Sequence, residues 1–282
     1  MRVQIAKWVC LKYPSDRNDV MKIATWNLNT SFTGRNTRAA QWDWITRRLE
    51  TDFVVLTEAE VPEEGLPKGW NAYFKAGGIG PTRRWGTIIA AREELEIRDI
   101  TDGVEGKGGF ILNHTRPGTV VVVDILRKKK VVATVVGIYA MTTSLDGKKL
   151  GTGWESIHEI LSDLQPLFES KRSKRLIMTG DLNLLPNDIP QGIYDKCFDA
   201  VLETEKSRQK PGYCCVCSDD QMCGHMWTHW NRAAPERVQN IDYMFISKKL
   251  YIRMGLVTGG RIDYPDAEGF SDHAPVVMDI TL

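Results

Sequence analysis

Short runs of β-branched and aliphatic residues recur along the whole chain, bounded by Gly, Pro, Asn or Asp. They occupy Lys22 to Leu28, Phe53 to Thr57, Thr87 to Ala91, Thr119 to Leu126, Val131 to Tyr139, Arg175 to Thr179, Ile241 to Ser247 and Pro275 to Leu282. Runs of this length and punctuation read as strands. Two of them flank Arg127-Lys128-Lys129-Lys130, the pattern of a hairpin with a charged turn, so antiparallel pairing is expected. Two segments have helical period instead. Trp154, Ile157, Leu161, Leu164 and Phe168 form one apolar stripe, and Ala39, Trp42, Ile45 and Leu49 form another after Asn36, a plausible N-cap. Each helix precedes a strand that ends in polar residues, over 36–58 and over 152–183, an echo of two similar halves without a literal repeat. Helices outside two packed mixed β-sheets give an α/β fold, a four-layer α/β sandwich.

No Pro/Ser-rich linker divides the 282 residues, and 42% hydrophobic residues with nine tryptophans suffice for a sizeable core. The expected organisation is one catalytic domain over 21–282 with a Cys-rich insertion near 210–225. Residues 1–20 read as an appendage, or Met21 as an alternative start. Trp8-Val9-Cys10-Leu11 is too short an apolar run, broken by Lys7 and Lys12, to be a signal peptide. No segment approaches the roughly 18 apolar residues of a membrane span. A cytoplasmic, reducing location without membrane contact is therefore expected, with the cysteines as thiols or metal ligands. Lys plus Arg number 37 against 36 Asp plus Glu, so no global basic field exists and any polyanion contact must be local. Arg83-Arg84-Trp85, Arg127 to Lys130, Lys171 to Arg175 and Lys206 to Lys210 are the candidate patches, although each taken singly reads as a solvated turn or helix end.

The polar residues closing the strands are Asn27 and Asn29, Glu58, Asp181 and Asn183, Asp242, then Asp272 and His273. Singly, each reads as a strand-end turn residue or a helix cap. Together they form an oxygen-rich set with one imidazole, which suits Mg2+, with Mn2+ as a substitute; zinc would want more His or Cys. Thr25-Trp26-Asn27-Leu28-Asn29, Val55-Leu56-Thr57-Glu58, Gly180-Asp181-Leu182-Asn183, Ile241-Asp242-Tyr243 and Ser271-Asp272-His273-Ala274-Pro275 stand in an order and spacing that resemble the Mg2+-dependent endonuclease/exonuclease/phosphatase family over about residues 21–282. The resemblance implies Glu58 as the principal metal ligand, with Asn27 and Asp272 beside or behind the ion. It also implies Asp181 as the group that takes a proton from water or orients it, and Asn183 as an amide donor to the phosphorane. His273, oriented by Asp242, would present N–H to the scissile phosphate.

Many relatives carry a second catalytic His on the central strand where this chain has Tyr139, and a tyrosine there resembles the abasic-site endonuclease branch. Other positions depart from the pattern: Thr57 stands where Gln is usual and Asn240 where Arg often precedes Ile-Asp. Met141-Thr142-Thr143 lacks the usual Pro and Asn. Arg83, Arg84 and Trp85 occupy the place of a substrate-contacting loop, and Trp227 that of a cleft aromatic; Asn29 joins them as a substrate-binding candidate. Cys214, Cys217, Cys223 and His225 offer four ligands to a structural Zn2+, but their spacing matches no well-populated finger, and free thiols beside the active site are the favoured reading. The expected activity is Mg2+-dependent phosphodiester hydrolysis by in-line attack of water, with DNA or RNA as substrate. Phosphomonoester or phospholipid hydrolysis is the first alternative and an inert binding module the second.

Overall fold

The computed structural model describes residues 20–30, 35–77, 85–101, 112–143, 149, 152–200, 228–231, 234–253, 257–261 and 269–281. The elements that position the site are β1 (Val20–Asn27), α1 (Arg35–Arg48), β2 (Phe53–Ala59), β3 (Trp70–Ala76), β4 (Gly86–Arg92), β5 (Leu95–Asp99), β6 (Val120–Arg127), β7 (Lys130–Tyr139), α2 (Trp154–Glu169), β8 (Leu176–Asp181), β9 (Cys197–Asp199), β10 (His229–Asn231), β11 (Ala234–Gln239), β12 (Asp242–Ser247), β13 (Val257–Arg261) and β14 (Val276–Thr281).

The strands form two six-stranded sheets, ordered β13-β14-β1-β2-β4-β3 and β5-β6-β7-β8-β12-β9, with β10 and β11 as a separate pair. Each sheet contains one parallel pair, β1 with β2 and β7 with β8, and each of these pairs is bridged in sequence by a helix. The remaining ladders are antiparallel.

Strand alternation decides which side chains meet in each layer. Met21, Ile23, Phe53 and Val55 of the first sheet face Val121, Val123, Val135 and Ile177 of the second. The alternate residues Ala24, Trp26, Val54 and Leu56 pack outward on Trp42, Ile45 and Leu49 of α1. On the far side Val120, Val122, Val136 and Met178 pack on Ile157, Ile160, Leu164 and Leu167 of α2. Three apolar seams between four layers make the expected α/β sandwich. Because central strands are covered on both faces they read as unbroken apolar runs, and each fully buried Ile, Leu or Val contributes about 1.5–3 kcal/mol.

Some details depart from the sequence reading. Asn36 lies inside α1, which already begins at Arg35, so it is not the N-cap. Ala39 is exposed, and Gln41 and Trp44 join the buried face in its place. Trp154 is 47% exposed: it opens α2 and lies edge-on to His158, while Ile160 and Leu167 complete the stripe. The sequence pattern does not mark β3, β5, β9, β10, β11 or β13; all of these but the seven-residue β3 are short or polar and gain their strand character from ladder pairing. Segment 1–19 and the Cys-rich insertion lie outside the described residues.

Topology brings the polar motifs to one end. The carboxyl ends of β1 and β2 carry Asn27 and Glu58; those of β7 and β8 carry Tyr139 and Asp181. Asp242 opens its strand and does not close it: β12 runs antiparallel to β8, so its first residue lies opposite Asp181. Likewise β14 runs antiparallel to β1, and residues 271–275 enter beside Thr25.

The approach of β7 and β8 is tightest just before Asp181. Gly180 has φ +142°, and a Cβ there would overlap the carbonyl oxygen of Ile138. Gly180→Ala is therefore expected to destabilise the fold by about 1–3 kcal/mol, seen as a lower urea midpoint with an unchanged m-value. An unaltered midpoint would show that β7 can move aside freely.

Candidate functional site

One local device is built twice. The Asn29 N–H donates to Asn27 Oδ1 (2.9 Å), and the Asn183 N–H donates to Asp181 Oδ1 (2.8 Å). Both second asparagines adopt left-handed backbone, φ +48° and +49°, a region Asn tolerates better than most residues. The intervening Leu28 and Leu182 are fully buried. Asn27-Leu28-Asn29 and Asp181-Leu182-Asn183 are thus one turn used at the end of β1 and again at the end of β8. Glu58 also has positive φ, +46°, unusual for Glu, and falls where the β2–β4 register shifts. Thr30 Oγ1 donates to its carbonyl oxygen (2.5 Å) and holds the bend. Such strain persists only where the surroundings over-determine it.

The two halves join through the Asn27 amide, which donates to Asp181 Oδ2 (2.8 Å) and to Glu58 Oε1 (3.2 Å). Asn29 Nδ2 donates to Asp272 Oδ1 (2.8 Å). Asn183 Nδ2 donates to the Ala140 carbonyl (2.9 Å) and to Asp181 Oδ2 (3.1 Å), so its amide is already engaged in holding Asp181. The His273 Nδ1 and Asp242 Oδ2 lie 2.8 Å apart. The main chain of the 271–275 motif is fixed by Ser271, whose hydroxyl donates to the Asn27 carbonyl (2.6 Å) and accepts from the His273 N–H (3.0 Å). Trp26 Nε1 donates to the His273 carbonyl (2.7 Å). Thr228 Oγ1 accepts from the N–H groups of both Ile241 and Asp242 (3.0 Å each).

Ser271 and Trp26 stand inside the sequence motifs and Thr228 follows Trp227, but only the fold reveals the three as fixing groups. His229, which belongs to none of the sequence motifs, bridges to His273, with ring centroids 4.6 Å apart. Tyr139 sits beside Asp181 in the ladder, is buried, and meets Trp85 edge-on at 5.4 Å. Those two aromatics therefore form one wall. Arg83, Arg84, Trp227, Cys214, Cys217, Cys223 and His225 lie outside the described residues.

Burial and charge shift the titrations strongly. Burial, then the neighbouring Asp242 charge, push Asp181 up to about 8, against the pull of His273 and of hydrogen bonds from Asn27 and Asn183. Burial alone would lower His273, but the charge and hydrogen bond of Asp242, with Asp181 and Asp272 behind it, overcome this and raise it to about 10. Burial and the adjacent His273 hold His229 below its usual range.

Oxygen donors and imidazoles occupy different parts of the site. Among the described residues, Asp181, Asp242 and His273 form one group with ligand atoms within 4.8 Å of one another, and His229, Asp272 and His273 form another. Glu58 stands outside both, but with the Asn27 side chain and Asp272 it offers hard oxygens. One or two carboxylates with water completing the shell is the set that Mg2+ accepts, so these residues fit such an ion.

No protein-family model matches the chain, and no curated protein matches it. Solved structures do. An AP endonuclease from Leishmania major superposes with a TM-score of 0.63 at 14% identity, covering 95% of this chain and 89% of its own. The 3'-5' exonuclease from Neisseria meningitidis gives 0.59 at 17% identity, over 93% and 100%. An AP endonuclease from Archaeoglobus fulgidus gives 0.60 at 17%, over 92% and 98%. The chain has the endonuclease/exonuclease/phosphatase fold.

The Asp242–His273 contact can be tested directly. Asp242→Asn is expected to lower the His273 titration by about 1–3 pH units, the usual influence of one neighbouring charge, observable by NMR of the imidazole nitrogens. A titration unchanged by the substitution would mean that Asp242 does not set the charge of His273.

Proposed function

We propose that this chain is a divalent-cation-dependent phosphodiesterase that hydrolyses the backbone of nucleic acid. The observation that carries the reading is the buried junction at which Asn27 joins Glu58 to Asp181, with the Asp242–His273 pair against it. Glu58, Asn27 and Asp272 would hold the cation, Mg2+ by the hardness of their oxygens. When bound, the cation supplies positive charge against a phosphoryl oxygen and the departing oxyanion.

The chain's own groups do the rest. Asp181, with Oδ1 on the Asn183 N–H and Oδ2 on the Asn27 amide, is held in one orientation to accept a proton from the attacking water. Asn183 acts first by fixing Asp181, since its amide is bonded to that carboxylate and to Ala140. His273, with Nδ1 tied to Asp242, keeps Nε2–H as a donor to a phosphate oxygen, where a charged hydrogen bond in a dry site is strongest. Tyr139 and Trp85 would line the substrate side, with Arg83 and Arg84 before Trp85 supplying local positive charge to a protein whose net charge is only +1. Nucleic acid as the substrate class is supported by the neighbours, described as an exonuclease, as AP endonucleases, and as a Neisseria 3' phosphatase bound to a product DNA hairpin.

A panel of plasmid DNA, abasic duplex, single-stranded DNA, RNA, a phosphomonoester and sphingomyelin, each with Mg2+, tests the reading. Cleavage of a nucleic acid should vanish in EDTA and return with Mg2+ or Mn2+; activity that persists in chelator would sink the metal-assisted mechanism. Asp181→Asn and His273→Ala should each lower the rate at least about 10²-fold, the scale of an acid or base group, and mild losses in both would mean the roles are misassigned.

The pH profile follows from the two shifts. Asp181 accepts a proton only when ionised, so the rate should fall as pH drops through about 8. His273 donates only when protonated, so the rate should fall again as pH rises through about 10. The acid limb moves lower once cation charge is nearby, because positive charge favours the carboxylate. These limbs belong to an interacting pair. A pH–rate series on the wild type and on Asp242→Asn checks both: loss of Asp242 charge should move both limbs to lower pH.

A further inference from the structure

Two imidazoles and a carboxylate converge where the oxygen-rich half of the site ends. His229 and His273 face one another across an isolated bridge, and one nitrogen from each lies within 4.8 Å of the other and of an Asp272 oxygen. The scaffold is rigid: Trp230 N–H donates to the Asp272 carbonyl (3.0 Å), and Ala274 N–H donates to the Thr228 carbonyl (2.7 Å). Asp242 holds His273 Nδ1, the outer-shell arrangement that orients a ligating imidazole and raises its basicity. Asn29 holds Asp272 through Oδ1. The His229 side chain has one hydrogen bond, with Gln239, while its Nδ1 is buried and, among the described residues, has no partner. A buried ring nitrogen without a partner is costly, on the order of 1–3 kcal/mol, unless something binds it.

We propose that His229, Asp272 and His273 form a binding site for a zinc-class divalent cation, held by two imidazole nitrogens and one carboxylate oxygen, which shares Asp272 with the all-oxygen set of Asn27 and Glu58 but uses neither of those two residues. Imidazole favours Zn2+, Co2+ and Ni2+ over Mg2+, so the two neighbouring sites select by donor chemistry. Three protein ligands leave a position open to water or an anion. Because Asp242 occupies His273 Nδ1, a cation held by this imidazole would take the other ring nitrogen, and any proton on that nitrogen is released to solvent on uptake. Resting on the hydrolase reading, the consequence is inhibition: a zinc-class ion withdraws the donor that His273 presents to phosphate.

Co2+ is a suitable probe, because its visible spectrum distinguishes nitrogen and oxygen ligands from thiolate. The full chain should bind one equivalent at this site with no thiolate charge-transfer band. His229→Ala should weaken that binding by more than about 10²-fold, beyond the 10- to 100-fold typical of losing an outer-shell partner. His229→Gln, which keeps a polar side chain on the strand, should weaken it equally and serves if the alanine variant folds poorly. Glu58→Gln and the double variant Cys214→Ser/Cys217→Ser should leave it intact. Unchanged Co2+ affinity in folded His229 variants, or a thiolate band lost in the cysteine variant, overturns the site. Zn2+ should also inhibit Mg2+-supported hydrolysis in the wild type more than in His229→Gln. If no substrate is hydrolysed while Co2+ binding still depends on His229, the cation site stands and the hydrolase reading fails. If hydrolysis is present and Co2+ binding ignores His229, the reverse holds.

Discussion

Two carboxylates, Asp181 and Asp242, stand directly opposite one another on neighbouring antiparallel strands, both buried. Leaving two such charges side by side in a dry site is prohibitively unfavourable unless one holds a proton or both gain hydrogen bonds and a counter-charge. Much of the surrounding chain meets that requirement. Asn27 and Asn183 donate to Asp181, and His273 pairs with Asp242. His273 is itself fixed through its main chain by Ser271 and Trp26. These partners come from both sheets and from the loop before β14, so the packing of the sandwich and the charge balance of the site are one problem. A sandwich that slipped by one strand position would separate the carboxylates from their donors.

The repeated turn explains how two sheets built from distant sequence can meet so exactingly. Asn27-Leu28-Asn29 and Asp181-Leu182-Asn183 follow parallel-sheet strands that pack face to face, and each turn drives a leucine into the core while its last asparagine bends back on the strand end. The bend aims one amide at Asp272 and the other at Asp181. Two helix-bridged parallel pairs thus deliver their carboxyl ends to one place, where ligand-binding groups of α/β sheets commonly gather. Strained backbone at Glu58 fits the same picture: it is tolerated because Thr30 and the flanking ladder leave it no alternative.

Chemically the site is asymmetric. On the side of Glu58 and Asn27 it offers hard oxygens; on the side of His229 and His273 it offers nitrogen. Asp272 lies between, tied to the first by Asn29 and adjacent to the second in sequence. With a net charge of only +1 the protein has no uniform field for an anion, so any attraction must be local.

Much of this was legible in the sequence because its causes are local. Apolar runs covered on both faces marked the eight central strands, and the Arg127 to Lys130 hairpin closes as expected, with Lys128 and Lys129 at positive φ. The acids, amides and imidazole of Asn27, Glu58, Asp181, Asn183, Asp242, Asp272 and His273 stood out because polar groups interrupt apolar runs. What the sequence could not decide was direction and distance. Asp242 seemed to end a strand when it begins one, since only antiparallel pairing with β8 brings it beside Asp181. Trp154 fitted the apolar stripe by spacing, yet at the very start of α2 its ring turns from the buried face and lies edge-on to His158. Asn183 looked like a free donor until the fold placed Ala140 and Asp181 against its amide. His229, 44 residues before His273 in sequence, gained its meaning only from a backbone bridge. Residue type and spacing determined the chemistry available to this chain; tertiary structure decided which groups face each other, because hydrogen bonds and charge pairs act over a few ångströms that only the packed sheets can set.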